Sequence, residues 1–107
     1  MNPTPYIQVT TMTATETDAR RIATALVEQR LAACVQIEGS LESIYQWQGQ
    51  IEQSQEWRCS AKTRDTLFAA VAQAISQLHP YECPEIVATP ILAGSKTYLA
   101  WLDAELQ

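Results

Sequence analysis

Two long alternating runs that face each other across Gln48-Gly49 constrain this chain more than any other feature. Ala33-Cys34-Val35-Gln36-Ile37 opens a strand, Gly39 interrupts it as a bulge would, and Leu41-Glu42-Ser43-Ile44-Tyr45-Gln46-Trp47 continues it. The chain turns at Gln48-Gly49, returns through Gln50-Ile51-Glu52, is expected to bend near Gln53-Ser54, and runs on with strict alternation through Glu56-Trp57-Arg58-Cys59-Ser60-Ala61-Lys62. Arms from about Cys34 to Trp47 and from Gln50 to Thr63 would each span roughly 45 Å at ~3.3 Å per residue, whereas a compact domain of ~100 residues has a radius of gyration of only ~13 Å. The hairpin must bend or project, and Tyr45, Trp47 and Ile51 near its tip need a surface to bury against. Pairing with other copies of the chain covers those groups and the open strand edges together. A symmetric oligomer with Tyr45, Trp47 and Ile51 at its interface is therefore the expectation, and a bent hairpin in a monomer is the alternative.

The remaining segments set this hairpin in a recognisable order. Tyr6-Ile7-Gln8-Val9-Thr10-Thr11-Met12 reads as a first strand. Thr13 and Glu16 have the spacing of a capping box, and Ala19, Ile22, Ala23 and Leu26 then share one stripe of an amphipathic helix running to about Arg30. After the hairpin, Asp65 or Thr63 is expected to cap a second helix, with Leu67, Phe68, Val71, Ala74, Ile75 and Leu78 on one apolar seam until Pro80 ends it. Glu85 to Ile91 reads as a last strand at a sheet edge, because Pro90 cannot donate to a ladder. Ser95 caps a short terminal helix that carries Tyr98, Leu99, Trp101 and Leu102. Strand, helix, hairpin, helix, strand is the split βαβ order of a ferredoxin-like α+β fold, an antiparallel sheet with two helices on one face, here a single domain over residues 1–107.

Composition excludes several classes of partner. The net charge is −5, and the seven Lys and Arg residues are scattered instead of forming a run, so nucleic acid is not expected. No run of 18 apolar residues and no cleavable signal pattern is present, which predicts a soluble, cytoplasmic protein with no membrane partner. Cys34, Cys59 and Cys83 are odd in number and widely spaced, fitting neither a disulfide framework nor a zinc knuckle, and read as reduced thiols. There is no GxSxG, P-loop, dinucleotide fingerprint or HExxH, so a non-enzymatic protein with no organic cofactor is the expectation.

His79-Pro80-Tyr81-Glu82-Cys83-Pro84-Glu85 holds the only histidine beside two prolines that fix their own φ and push the preceding residues out of the helical region. The segment is a rigid loop presenting His79, Tyr81 and Glu85. Together with Arg30-Leu31-Ala32-Ala33-Cys34-Val35, the hairpin Ser43 to Glu52, Lys62-Thr63 and Tyr98-Leu99-Ala100-Trp101-Leu102, it resembles the CutA family, named for divalent-cation tolerance, over nearly the whole chain. The resemblance implies a homotrimer similar in architecture to PII signalling proteins, built through the long hairpins, and an association with copper or another divalent cation. Arg58, Cys59 and Ser60 stand where the family's return strand tends to be aliphatic.

Three sets of side chains are candidates for chemistry. Cys34, the family-matched soft ligand, and His79 are the metal candidates by donor softness, the alternatives being tight packing for the thiol and helix-end capping for the imidazole. One His and three separated Cys do not make a closed four-ligand site in one subunit, so a metal would lie between subunits or on the surface. Lys62, Trp47, Tyr81 and Glu85 are candidates for a cleft between subunits that holds a small anionic metabolite, as in a PII-like carrier or signalling module. In the bland reading, Lys62 pairs with Glu82 or Glu85 and the aromatics serve the interface. A stable oligomeric scaffold with no specific ligand is the third reading.

Overall fold

The computed structural model describes residues 4–107, so the first three residues of the expected domain lie outside the described residues. In order come β1 (Tyr6–Thr13), α1 (Glu16–Glu28), β2 (Cys34–Trp47), β3 (Gln50–Arg64), a 3₁₀ turn (Asp65–Leu67), α2 (Phe68–Leu78), β4 (Val87–Pro90) and α3 (Lys96–Glu105). The strands form one sheet in the order β2-β3-β1-β4 with every pair antiparallel. This is the split βαβ arrangement expected from the sequence. Among the described residues no helix is long and apolar enough to cross a membrane.

Alternation in β3 sends Cys59, Ala61 and Thr63 to one face, where they are buried, and leaves Arg58, Ser60, Lys62 and Arg64 half-buried on the other. The buried face meets both helices. Val9 and Ala61 of the sheet pack with Ile22 and Leu26 of α1 and Val71, Ala74 and Ile75 of α2. The end of α1 is fixed by the backbone: Leu31 N donates to Leu26 O at 2.9 Å and Arg30 N to Val27 O at 3.0 Å, a Schellman closure that drops Leu31 into the core beside Leu26. The left-handed residue this closure needs is Arg30 (φ 57°), where glycine is commoner. Arg30 also ties down the C-terminus, its guanidinium donating to Ala104 O at 2.8 Å and its carbonyl accepting from Gln107 N at 2.9 Å.

Three local expectations are corrected. The cap of α1 is Thr15, whose hydroxyl accepts from Asp18 N at 3.1 Å; the Thr13 hydroxyl instead donates to Thr15 O, because Thr13 is still the last residue of β1 and fully buried. Neither Thr63 nor Asp65 caps α2. The Thr63 hydroxyl donates to Leu31 O at 2.6 Å, and Asp65 N donates to Pro5 O at 2.7 Å and starts the 3₁₀ turn. The last strand is an edge strand as expected, but its ladder covers only Val87–Pro90.

The hairpin projects without a bend at Gln53-Ser54: β3 is continuous, and the irregularity lies in β2, where Ser40 is the extra residue between the pairs Gly39↔Trp57 and Leu41↔Glu56. Gln48 (φ 51°) and Gly49 (φ 81°) form the left-handed pair of a type I′ turn. β1 pairs with β3 only from Trp57 to Arg64, so Gln50–Glu56 and Leu41–Trp47 form a two-stranded ribbon with no third strand. That ribbon stretches the molecule to 45 × 31 × 23 Å with a radius of gyration of 14.5 Å, above the ~13 Å of a compact chain of this length.

Gly39 is required where the ribbon leaves the sheet, because a Cβ there would lie 2.7 Å from Trp57 Cγ, inside the ring's van der Waals surface. Gly39→Ala should cost ~1–3 kcal/mol in urea denaturation through overpacking, and Trp57→Leu in the same chain should recover a large part of the loss. Additive single and double variants would show that this contact does not set the ribbon's base.

Candidate functional site

Pro80 forces His79 into extended backbone (φ −78°, ψ 131°), so α2 stops there, with His79 N still bonded to Ile75 O at 2.8 Å. The guanidinium of Arg21 donates to Leu78 O at 2.7 Å and satisfies another carbonyl of that last turn. The imidazole is buried and both of its nitrogens are engaged. Tyr81 N donates to Nδ1 at 3.1 Å, which leaves the proton on Nε2 for donation to Met12 O at 2.6 Å. His79 therefore pins the start of the loop to the end of β1. The Tyr81 ring packs against the imidazole at a centroid distance of 4.6 Å, and its hydroxyl reaches across to the base of the ribbon, donating to Glu56 Oε2 at 2.8 Å.

Between the loop and the ribbon lies a concavity of about 540 Å³, lined by Met12, Ser43, Ile44, Tyr45, Trp47, Glu56, Tyr81, Glu82, Cys83 and Glu85. On the ribbon side, pairing places Ser43, Tyr45 and Trp47 on the same face as Glu56. Glu56 is only 7 % exposed, whereas Glu82 and Glu85 are exposed at the mouth. Among the described residues no Lys, Arg or His lines the concavity. Burial, followed by the hydrogen bond to Glu56 and that carboxylate's charge, raises the Tyr81 hydroxyl well above the ordinary tyrosine range.

Three of the four residues expected to share a ligand cleft, Trp47, Tyr81 and Glu85, do line this one space. Lys62 does not. It lies six residues along β3 from Glu56, roughly 20 Å at the strand rise, opposite Gln8 and Cys34, and its ammonium donates to Gln36 Oε1 at 2.8 Å. Neither Glu82 nor Glu85 pairs with it. Cys34 is half-buried beside Lys62, while His79 is attached to Met12, whose partner on β3 is Arg58, so Cys34 and His79 are separated by four residues of β3, roughly 13 Å. Among the described residues no three His, Cys, Asp or Glu side chains are gathered to hold a metal ion. The expected interface residues Tyr45, Trp47 and Ile51 are exposed by 43, 41 and 71 %, and Ile44 joins them. Sequence reasoning misses Glu56, Glu82 and Cys83 as lining residues. The signal that could have found Glu56 is its strand parity with Tyr45 and Trp47.

The family profile described as CutA1 divalent ion tolerance protein matches residues 7–105. The chain is 50% identical over 84 residues to the divalent-cation tolerance protein CutA of Thermus thermophilus, covering 78% of this chain and 82% of that one. It is 41% identical over 84 residues to protein CutA of Mus musculus, of whose length the match spans 48%, about half. Among solved structures it is similar to the divalent cation tolerance protein of Thermus thermophilus (TM-score 0.93, 44% identity, 95% of this chain and 99% of that chain). It is also similar to CutA1, described as a stable protein, from a psychrotrophic Shewanella species (TM-score 0.92, 43% identity, 99% of this chain and 98% of that chain).

The Tyr81–Glu56 bond makes a measurable pH signature. Because the folded-state hydroxyl titrates higher than in the unfolded chain, its contribution to stability is whole below the ordinary tyrosine value of ~10 and is lost as pH rises beyond it. In a spectrophotometric titration Tyr81 should be the last tyrosine to ionise, and Tyr81→Phe should delete that transition while costing ~1–3 kcal/mol at neutral pH, since Glu56 loses its donor. Loss of a transition within the ordinary tyrosine range in Tyr81→Phe, in place of the last one, would count against the bond.

Proposed function

The chain belongs to the CutA1 divalent ion tolerance protein family, and on that premise we propose that it is a non-enzymatic homotrimer that binds divalent cations, copper among them. The observation that carries this reading is the projecting ribbon, where Ile44, Tyr45, Trp47 and Ile51 remain 41 to 71 % exposed. A ribbon paired on one side only, carrying four large apolar side chains, is an incomplete structure that further copies of the chain would bury. The threefold count comes from the family resemblance. In such an assembly the cation site is completed between subunits, consistent with the scattered donors of the single chain.

Within the chain, Cys34 is the better donor of the two expected. Its thiol is free and half-buried on the sheet face opposite α1 and α2, so a soft cation could reach it without breaking an existing bond. His79 could bind a metal only by giving up its bond to Met12 O or to Tyr81 N. Three free thiols also favour a reducing compartment such as the cytoplasm.

Light scattering at low micromolar concentration should give about three times the subunit mass of 11.9 kDa, and Trp47→Ala should shift assembly toward the subunit on dilution by more than ~2 kcal/mol per interface. A monomer of the wild-type chain would overturn the assembly reading. In copper titrations under reducing conditions, Cys34→Ser should lose high-affinity binding, whereas His79→Ala should lose stability first and retain copper while folded. Wild-type copper affinity in Cys34→Ser would remove the thiol from the site.

A further inference from the structure

We propose that His79 is an acid-sensitive latch: the His79–Glu85 loop is closed onto the sheet only while the imidazole is neutral, and protonation releases the loop together with its hold on the ribbon base. The two ring nitrogens have opposite roles. Nδ1 accepts from Tyr81 N at 3.1 Å and Nε2 donates to Met12 O at 2.6 Å, with the residue only 7 % exposed. A neutral imidazole offers one acceptor and one donor, and each meets the main-chain group it needs. A second proton can go only on Nδ1. Two N–H groups, Nδ1–H and that of Tyr81, then point at each other out of reach of water, and each loses its partner. Cys34, the proposed metal donor, lies roughly 13 Å away along β3 and takes no part.

The charged groups around the ring do not compensate a second proton. From α1, Arg21 has its guanidinium on Leu78 O, and Asp18 is bonded to that guanidinium at 3.3 Å. From β3, Glu56 is engaged by the Tyr81 hydroxyl, and in the loop Glu82 and Glu85 are exposed. Among the described residues no carboxylate forms an ion pair with His79. The C-terminal end of the α2 dipole favours a charged ring, and the Arg21 cation at that same end weakens the attraction. The latch matters because the loop has so little else. Among the described residues, Pro80 to Ile86 make no main-chain hydrogen bond to another element, so the bonds of His79 and Tyr81 are its attachment. Tyr81 carries that attachment to Glu56, just where β3 loses β1 as a neighbour. Opening takes up one proton and is favoured as pH falls: below the ordinary histidine value of ~6.5 the open fraction grows about tenfold per pH unit. The device acts inside one chain and does not depend on the assembly.

The test is amide hydrogen exchange on the isotopically labelled full chain in its native assembly, read by NMR from about pH 8 to about pH 5 beside the ring resonances of His79. Corrected for intrinsic exchange, protection of the Tyr81 amide should fall about tenfold per pH unit below ~6.5, and the amides flanking Glu56 should follow it. Once the ring is charged, the Tyr81 amide should be unprotected. His79→Asn puts a carbonyl two residues before the Tyr81 amide, as in an Asx turn, and has nothing to titrate, so its protection there should be flat over the same range. Tyr81→Phe should keep the fall at residue 81 and abolish the response around Glu56. The wild-type ring measurement stands by itself should a substitution weaken folding. No fall in the wild type, the same fall in His79→Asn, a charged ring beside a still protected Tyr81 amide, or a response around Glu56 that survives Tyr81→Phe would each overturn the proposal.

Discussion

The antiparallel pairing of β2 with β3 is the interaction on which the rest of the structure depends, because β3 belongs to two different environments along its length. From Trp57 to Arg64 it is a central strand with β1 on one side and β2 on the other, and it gives Cys59, Ala61 and Thr63 to the core. From Gln50 to Glu56 it has β2 alone. A two-stranded hairpin is marginal in water, so the outer half needs anchors that the inner half does not. The Ser40 bulge marks the change, and it coincides with the Gly39–Trp57 contact, where the backbone of β2 comes close to an indole ring.

The second anchor is the loop, and its rigidity has a definite origin. Two prolines limit its backbone, but they do not attach it to anything. Attachment comes from His79, whose two nitrogens bond main-chain groups on opposite sides, Met12 O at the end of β1 and Tyr81 N in the loop. Tyr81 carries that constraint on to Glu56. A single hydrogen-bonded path thus runs from the end of the core strand, through an imidazole and a phenol, to the carboxylate at the ribbon base. The histidine that invites a reading as a metal ligand is already occupied by architecture.

Periodic features are legible in the sequence and pairwise long-range ones are not. The stripe Ala19, Ile22, Ala23, Leu26 and the alternation of β3 are set by a single buried face, so period alone reveals them. Gln48-Gly49 and Ser95 act locally and are readable for that reason. The sequence misplaces the cap of α1 by two residues because Thr13 and Thr15 offer the same hydroxyl, and only the length of β1, decided by its pairing to Trp57, chooses between them. The start of α2 depends on Pro5 and Leu31, distant in sequence from Asp65 and Thr63. Among the site residues, Trp47, Tyr81 and Glu85 do come together, but Lys62 is drawn toward the loop by its chemistry alone. Counting residues along β3 from Glu56 to Lys62 shows the strand carrying it away.

That separation changes how ligand chemistry is distributed over the subunit. On the inner half of β3 the face opposite the helices carries Arg58, Lys62 and Arg64, partly matched by Glu38, Gln36 and Asp103. On the outer half the same strand supplies Glu56, and the loop adds Glu82 and Glu85 with no cation among the described lining residues. The soft donor Cys34, paired with Lys62, belongs to the first region and Glu56 to the second, roughly 20 Å apart along one strand. At that distance surface electrostatics in physiological salt are screened over more than two Debye lengths of ~8 Å, so the two regions act as electrostatically independent sites.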